Sequence, residues 1–231
     1  MKLLIFDLHA PLAHFRRPDS TATHPTYPFI SGTGLRGLLG AILGLSEFEG
    51  HALTGIQIIN PVQTRFQELS MLGKGFLGSG PAFNRPTSIE MVIQPHYRIY
   101  YIGDYFEELA ENIRGRKSTF LTYLGSAFAL CTPQFIDIIE VEKLESEPES
   151  FLTSLTVIPT DMVSKLESTP GYQFARANGF SARYLGDRRF RGTIDFIYER
   201  QGKPIKFLPI IDEHSLECIA VLASGEAVVL W

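Results

Sequence analysis

The stretch Gly34-Leu35-Arg36-Gly37-Leu38-Leu39-Gly40-Ala41-Ile42-Leu43-Gly44 decides how the first half of the chain is interpreted. Its leucines and isoleucine recur at the i, i+3, i+4, i+7 and i+8 spacing of one helix face. Thr33 is the expected N-cap, and Gly44 is expected to end the helix. Glycines inside a helix lower its stability, and they usually mean that another backbone lies close.

The elements on either side of this helix follow the order strand, helix, strand, strand, helix, strand. Extended runs of strand length are expected at residues 2–8, 56–60, 89–93, 97–102 and 135–142. Asp104 with Glu107 forms a capping-box pattern and predicts a second helix, which would end at Gly115. This order is that of a ferredoxin-like (RRM-like) βαββαβ domain, expected over residues 1–145.

The second half of the chain is rich in short extended runs. They follow an acidic stretch that is typical of a linker, at residues 144–150, and they cover residues 155–158, 193–198, 205–211, 218–222 and 227–231. The sequence therefore predicts an α+β fold in which a smaller β-rich domain occupies residues 151–231.

Composition limits the classes of function. The chain has 231 residues, of which 45% are apolar and 20% charged, as is typical of a soluble globular protein. No apolar run reaches the length of a membrane span or of a signal-peptide core, so a cytoplasmic location without membrane contact is expected. Cys131 and Cys218 are expected to be reduced thiols.

The net charge of −4 argues against a free-standing nucleic-acid binder, but the charges are segregated. Residues 137–167 include eight acidic and two basic side chains, whereas residues 172–207 include eight basic and three acidic ones. Such a chain can meet an anion on one face and a protein on another. Two solvated faces without partners are the alternative.

A glycine-rich stretch at residues 61–88 is the first candidate for contacts with single-stranded nucleic acid. It matches G-x-G-x-x-G at Gly73–Gly78, but the prolines that follow exclude the helix that a dinucleotide site needs. It also combines basic with aromatic side chains, namely Arg65, Lys74, Phe76, Phe83 and Arg85. Such groups on an extended arm suit phosphate and stacking contacts, and an ordinary surface hairpin is the alternative.

The densest basic and aromatic patch lies near residues 180–191. It includes Phe180, Arg183, Tyr184, Arg188, Arg189, Phe190 and Arg191. Lysine and arginine supply salt-dependent phosphate affinity, and aromatic rings stack on bases. The alternative is a basic strand face paired with the acidic linker. Arg36 is a separate candidate, because a cation near a helix N-terminus opposes the helix dipole and is better explained by a nearby phosphate or carboxylate.

Candidates for catalysis are scattered. None of the six histidines forms a metal-binding spacing, and no nucleophile elbow occurs, so no metal or cofactor is expected. His14, Tyr27, His96 and Lys117 could each serve in acid–base cleavage, although no spacing forces them together.

Three segments carry a resemblance to a known family. They are His14-Phe15-Arg16-Arg17-Pro18, Thr26-Tyr27-Pro28-Phe29-Ile30 and the glycine-studded helix from Gly34 to Gly44. Together they resemble the N-terminal signature of the fifth CRISPR-associated (Cas) protein family, which belongs to the RAMP superfamily of type I Cascade subunits. Tyr123-Leu124-Gly125-Ser126 resembles the family's second motif. The amino-acid sequence of the first segments is most similar to the type I-B branch.

The resemblance implies a subunit that binds and caps the 5′ handle of the CRISPR RNA (crRNA). It also implies contacts with the Cascade backbone subunit and large subunit, and with target DNA indirectly through the complex. The stretch 61–88 lies where the family carries a thumb-like insertion. The residues expected to bind RNA are Arg65, Lys74, Phe76 and Arg85 in the arm, Arg183, Arg188, Arg189 and Arg191 in the patch, and Arg36, with Arg16, Arg17, Tyr27 and Tyr123 from the quoted motifs.

Catalysis is not expected on this resemblance. The type I-C branch of the family is itself the crRNA endonuclease and uses a Tyr, Lys and His set in which Lys and His are adjacent. Here Lys117 is followed by Ser118, so that set is not matched. A metal-independent endoribonuclease of the same fold and a protein-interaction module without RNA are the alternatives. Defence and transposon guiding are both compatible with the sequence.

Overall fold

A computed structural model describes residues 1–20, 23–73, 83–144, 148, 150–168, 170–187, 189–210, 212 and 218–231, without the side chains of Phe83 and Arg183. The fold is α+β, and the described part has two α-helices, α1 (Gly32–Leu43) and α2 (Phe106–Arg114). The strands, in chain order, are β1 (Lys2–His9), β2 (Leu12–Ala13), β3 (Ala52–Ile58), β4 (Thr64–Gly73), β5 (Phe83–Ile93), β6 (His96–Gly103), β7 (Gln134–Glu140), β8 (Glu142–Lys143), β9 (Leu152–Ser154), β10 (Ile158–Pro159), β11 (Val163–Leu166), β12 (Phe174–Tyr184), β13 (Phe190–Glu199), β14 (Ile205–Pro209), β15 (Ile219–Val221) and β16 (Ala227–Val229).

The first half is built on a four-stranded antiparallel sheet in the order β3-β6-β1-β7. Helix α1 lies in the connection between β1 and β3, and α2 lies in the connection between β6 and β7. Alternate residues of β1 point to opposite faces, as a strand requires. Leu4, Phe6 and Leu8 pack in the cluster that includes both helices, while Leu3 and Ile5 pack on the other face.

Helix α1 ends where its sequence indicates but begins two residues earlier than expected. Ser31, not Thr33, is the N-cap, and its hydroxyl oxygen accepts a hydrogen bond from the Gly34 amide at 3.1 Å. Gly44 ends the helix in the left-handed conformation (φ 78°) that favours glycine.

The glycines of α1 do not all serve the same purpose. A Cβ on Gly40 would meet the Leu45 carbonyl oxygen at 3.4 Å, so close backbone packing explains that position. A Cβ on Gly37 would meet nothing within 4 Å, and Gly37 is exposed. A Cβ on Gly32 would meet the Trp231 ring at 2.9 Å, and one on Gly34 would meet the Ile30 side chain at 3.2 Å. Internal packing therefore accounts for these three glycines and leaves Gly37 unexplained.

Helix α2 ends at Gly115 as the sequence predicts, but the expected capping box is wrong. Tyr105 occupies the N-cap position with φ 60° and without a side-chain capping bond. The Asp104 carboxylate instead accepts a hydrogen bond from the His51 amide at 2.9 Å. Asp104 thus joins the start of β3 to the end of β6 rather than capping the helix.

The sequence predicts an irregular stretch at residues 61–86, but its described part consists largely of the two paired strands of a β-hairpin. Strands β4 and β5 pair in register from Thr64–Val92 to Gly73–Phe83, and β2 extends this sheet. Phe66 is 65% exposed and Leu72 is 73% exposed, so β4 has little cover on either face. Most of the G-x-G-x-x-G match, with Lys74 and Phe76, lies outside the described residues.

The second half is β-rich, as predicted, although its strands differ in detail. A six-stranded sheet has the order β11-β14-β9-β16-β15-β8, and a separate sheet has the order β10-β13-β12. Strand β12 was not expected, and the run expected at residues 155–158 falls mostly between β9 and β10. The linker expected at residues 144–150 lies mainly outside the described residues.

Two apolar clusters join the two halves. Phe180 and Phe196 of the β12–β13 hairpin lie in the same cluster as Phe29 and helix α1. On the opposite face of the four-stranded sheet, Leu3 and Tyr100 share a cluster with strands β15 and β16. Within the ranges that the structure describes, no helix is both long and apolar enough to cross a membrane.

The first prediction uses two glycines in opposite settings. Gly37→Ala should raise the free energy of unfolding by about 0.5–1 kcal/mol, because alanine favours the helix and meets no neighbour. Gly55→Ala should lower it by about 1–3 kcal/mol, because the added Cβ would lie 2.9 Å from the Val229 carbonyl oxygen. Urea titration measures both changes. A lower free energy of unfolding for the Gly37→Ala variant would contradict the prediction, because it would mean that α1 has a contact at this position.

The second prediction concerns a buried carboxylate on the four-stranded sheet. Asp7 accepts hydrogen bonds from Arg98 Nε at 2.8 Å and from His96 Nε2 at 3.0 Å. Burial alone would raise the pKa of Asp7, but these hydrogen bonds hold it below its ordinary value of 3.8. A lowered pKa stabilises the fold above the unfolded-state value, and that stabilisation is lost as the pH falls through the folded-state value.

Asp7→Asn should therefore lower the free energy of unfolding by about 1.5–3 kcal/mol at pH 7. The difference from the unmodified chain should narrow as the pH falls below about 4. Denaturant titrations across this pH range give the measurement, and Glu140→Gln, at an exposed carboxylate of β7, is the control. A difference that does not change with pH would contradict the prediction.

Candidate nucleic-acid interface

The segment that precedes α1 carries Arg16 and Arg17, and its two extended parts run antiparallel to each other. Arg16 and Thr26 form an isolated antiparallel bridge, and the Tyr27 amide donates to the Phe15 carbonyl oxygen at 2.8 Å. Arg16 is exposed, whereas Arg17 is half-buried and forms an ion pair with Asp19 at 2.6 Å. Among the described residues Arg16 has no ion-pair partner, so the segment presents one unpaired and one paired arginine at adjacent positions.

Tyr27 is a core residue rather than an exposed ring. It is 7% exposed, stacks on Phe180 with ring centroids 4.0 Å apart, and donates its hydroxyl to the Gly179 carbonyl oxygen at 2.7 Å. The guanidinium carbon of Arg17 lies 5.8 Å from the Tyr27 ring centroid. Tyr27 therefore positions Arg17 and the β12–β13 hairpin, and its buried ring offers no open face for a base.

Two histidines join this segment to the β4–β5 hairpin. His14 is buried, and its Nδ1 donates to the Glu90 carbonyl oxygen at 2.7 Å. Burial lowers the pKa of His14, so its ring is neutral at neutral pH. Partial burial lowers the pKa of His24, and the positive charges of Arg16 and Arg85 lower it further. The positive charge near His24 therefore comes from Arg16 and Arg85, which are called here the basic cluster.

Tyr123 lies in a loop at residues 118–131 that packs against the same segment. The Leu124 carbonyl oxygen accepts from the His14 amide at 3.2 Å. Gly125 has φ 81°, and a Cβ there would clash with the His14 carbonyl oxygen. The Tyr123 ring is 44% exposed.

The loop and α1 enclose a groove of about 270 Å³, called here the glycine groove. Its lining includes Thr33, Gly34, Gly37, Ala41 and Tyr123. Gly37, which internal packing does not explain, thus faces an open groove that an external chain can enter closely.

Arg36 lies on the adjacent side of α1. Its Nη1 donates to the carbonyl oxygens of Phe48 at 3.2 Å and Gly50 at 2.8 Å. Its guanidinium carbon lies 5.6 Å from the Phe48 ring centroid and 5.9 Å from that of Tyr184. Burial lowers the pKa of Arg36. The sequence predicts a phosphate or carboxylate beside Arg36, whereas the acceptors found among the described residues are two carbonyl groups.

A cleft of about 350 Å³ opens beside this arginine and is called here the Arg36 cleft. Its lining is Thr33, Arg36, Gly37, Ser46, Glu47, Phe48, Tyr184 and Phe190. Thr33 and Gly37 also line the glycine groove, so the two openings adjoin along α1. The rings of Tyr184 and Phe190 lie 5.2 Å apart and form the hairpin side of the cleft.

The remaining residues expected to bind RNA fall on two hairpins. Arg189 and Arg191 are exposed at the end of the β12–β13 hairpin, where Arg189 forms a fully solvated ion pair with Asp187 at 3.2 Å. Arg65 is exposed on β4. Lys74, Phe76 and Arg188 lie outside the described residues, and so does the side chain of Arg183.

The structure therefore gathers segments that are far apart in the sequence around α1. Arg16 and Arg17 precede the helix, Arg36 lies on it, Tyr123 flanks one side, and Arg189 and Arg191 lie at the end of the hairpin that flanks the other. Sequence reasoning missed His24, Glu47 and Phe48. Gly37, a glycine inside the helix, was the sequence feature that could have indicated an open helix face.

Three of the four residues considered for acid–base cleavage are engaged in other contacts. His14 is buried and bonded to Glu90, Tyr27 donates to Gly179, and His96 donates to Asp7. Lys117 is exposed. Among the described residues, no group of three or more His, Cys, Asp or Glu side chains could hold a metal ion.

Comparison with known proteins gives one sequence match. Residues 3–74 match a family described as "CRISPR-associated protein (Cas_Cas5)". No curated protein sequence matches the chain. The sequence match therefore covers β1 from Leu3 onward, and all of β2, α1, β3 and β4.

Solved structures resemble the chain over most of its length. A CRISPR protein from Archaeoglobus fulgidus shares 10% identity and a TM-score of 0.51, with 99% of each chain covered. A structure described as a Cas protein shares 15% identity and a TM-score of 0.51 over 87% of this chain and 95% of that one. A chain of a "CRISPR RNA-guided surveillance complex" shares 12% identity and a TM-score of 0.51 over 88% and 91%. The chain thus has the α+β fold of CRISPR-associated proteins, and its first 74 residues include sequence similar to the Cas_Cas5 family.

Proposed function

We propose that this chain is a non-catalytic RNA-binding subunit of a CRISPR effector complex in antiviral defence. Its role is to bind and cap the 5′ handle of the crRNA and to seat the backbone and large subunits of a Cascade complex. It meets target DNA only through that complex. The sequence match and the similarity to a chain of an RNA-guided surveillance complex support this proposal.

One observation carries the proposal. Basic and aromatic side chains from separate segments converge around the exposed face of α1, where Gly37 leaves the helix backbone open. Arginines supply phosphate affinity, and exposed rings such as Tyr123 supply stacking surfaces. The overall charge of −4 suits a subunit whose acidic surfaces meet proteins.

The proposal extends to the architecture. The four-stranded sheet with α1 and α2 is taken as a ferredoxin-like RAMP domain, and the β4–β5 hairpin as its thumb-like insertion. Within this proposal the chain is assigned to the type I-B branch, because its N-terminal segments resemble that branch. The buried environment of His14 supports a subunit that retains its RNA without cleaving it, because the His14 Nε2 atom is shielded from contact.

The third prediction tests the basic cluster by salt dependence. Replacing Arg16 and Arg85 with alanine should reduce the magnitude of the slope of log affinity against log salt by about 0.7 for each lost phosphate contact. The triple change of Arg188, Arg189 and Arg191 to alanine should reduce it in the same way. Fluorescence anisotropy of labelled repeat RNA with the assembled complex gives the slope.

Lys206→Ala is the matched control, because it removes one positive charge from β14, where Lys206 pairs with Glu167 at 3.0 Å. The control should leave the slope unchanged. An unchanged slope in the arginine variants would contradict their assignment to the RNA interface.

The fourth prediction is that the purified chain does not cut repeat RNA, with or without chelator. General acid–base cleavage needs a positioned acid and base with tuned pKa values, and the candidate side chains here are engaged elsewhere or solvated. Denaturing gels give the measurement. A single chelator-resistant cut that His14→Ala or Lys117→Ala abolishes would favour the alternative, a metal-independent crRNA-processing endoribonuclease.

A further inference from the structure

Arg36 uses only one of its three nitrogens in the hydrogen bonds that hold it. Both bonds, to Phe48 and Gly50, come from Nη1. Among the described residues, Nε and Nη2 have no acceptor, and the guanidinium forms no ion pair. The Nε–Nη2 edge of an arginine presents two parallel N–H groups, so the carbonyl groups of Phe48 and Gly50 leave that bidentate edge for a ligand.

The Arg36 cleft also offers an acceptor and ring surfaces. Glu47 lines it with a half-buried carboxylate that forms no ion pair with any described residue. Phe48 lies on the helix side, and Tyr184 and Phe190 lie on the hairpin side. A volume of about 350 Å³ is at the small end of the range of ligand pockets, so the cleft suits one heterocyclic base with part of its sugar.

We propose that the Arg36 cleft binds one guanine base, with the Nε–Nη2 edge of Arg36 on guanine O6 and N7 and the Glu47 carboxylate on the guanine N–H groups. Guanine is the base that presents two adjacent acceptors to a bidentate arginine. Adenine presents a donor amino group in the place of O6, so it opposes the same edge. The base belongs either to the bound RNA or to a free nucleotide. The proposal rests on the proposed RNA-binding function only where the base belongs to the bound RNA.

The test compares bases in one sequence context. Short oligouridine strands with one central guanosine, 7-deazaguanosine or adenosine are titrated into the purified full-length chain and followed by anisotropy. Guanosine should bind more tightly than adenosine. 7-Deazaguanosine keeps O6 but loses the N7 acceptor, so it should bind more weakly than guanosine by a part of the roughly 5- to 150-fold that a whole bidentate contact supplies. Calorimetric titration with guanosine and adenosine monophosphates forms the second arm.

Three variants of α1 make the test specific. Gly37→Leu places a side chain at the cleft without meeting any protein atom at its Cβ, and it should abolish the preference for guanosine. Ala41→Leu is the matched control for the base preference and not for overall affinity, because Ala41 lines the glycine groove and is not among the residues that line the Arg36 cleft. The ratio of guanosine to adenosine affinity should stay unchanged in this variant. Arg36→Lys keeps the positive charge but loses the two parallel N–H groups of the Nε–Nη2 edge, so it should also abolish the preference. Thermal melting checks that this variant is folded.

The outcomes separate the two proposals. A guanosine preference in RNA that Gly37→Leu removes and Ala41→Leu keeps supports a base of the bound RNA. A preference seen only with the monophosphates supports the guanine site with a free nucleotide as its ligand. RNA binding without preference for guanine in either arm overturns the guanine site and leaves the proposed function standing. No binding of RNA or nucleotide overturns both.

Discussion

The stack of Tyr27, Phe29 and Phe180 is the contact on which the candidate interface depends. Tyr27 and Phe29 come from the segment just before α1, and Phe180 comes from β12, about 150 positions later in the chain. Because all three rings are buried, separating them would expose a large apolar area, and each ring contributes about 1.5–3 kcal/mol by burial. This contact holds the β12–β13 hairpin beside α1 and so creates the cleft in which Arg36, Tyr184 and Phe190 face one another.

Sequence patterns predicted the elements whose signals are local. The 3.6-residue periodicity gave α1, and the apolar run at residues 2–8 gave β1. Both predicted N-caps were wrong, whereas Gly44 and Gly115 end the helices as predicted. A carboxylate or hydroxyl can bond to several backbone amides, and tertiary structure decides among them: Asp104 bonds to His51. Strand β4 lacks an alternating pattern because neither of its faces is well covered.

The sequence allowed the residue types of the candidate site to be predicted, but not their arrangement in space. Arg16, Arg36, Tyr123 and Arg191 were each singled out from local composition, yet nothing in their spacing indicates that they surround one helix. Burial also separates residues that look alike in sequence, since Tyr27 is a core ring and Tyr123 is 44% exposed. Periodicity cannot make that distinction for a single aromatic residue in an irregular segment.

Strand β12 carries one extra residue relative to β13 between Ala177 and Phe180, and Gly179 adopts φ 78° in this bulge. The bulge fixes which side chain enters the core: the Gly179 amide donates to Asp195 at 2.8 Å, and its carbonyl oxygen accepts from Tyr27. The alignment of the two strands is therefore set near the core and not at the distal turn. Insertions or deletions at that turn can alter the rim of the Arg36 cleft while Phe180 stays in place, which makes the hairpin tip a module whose length can diverge independently of the fold.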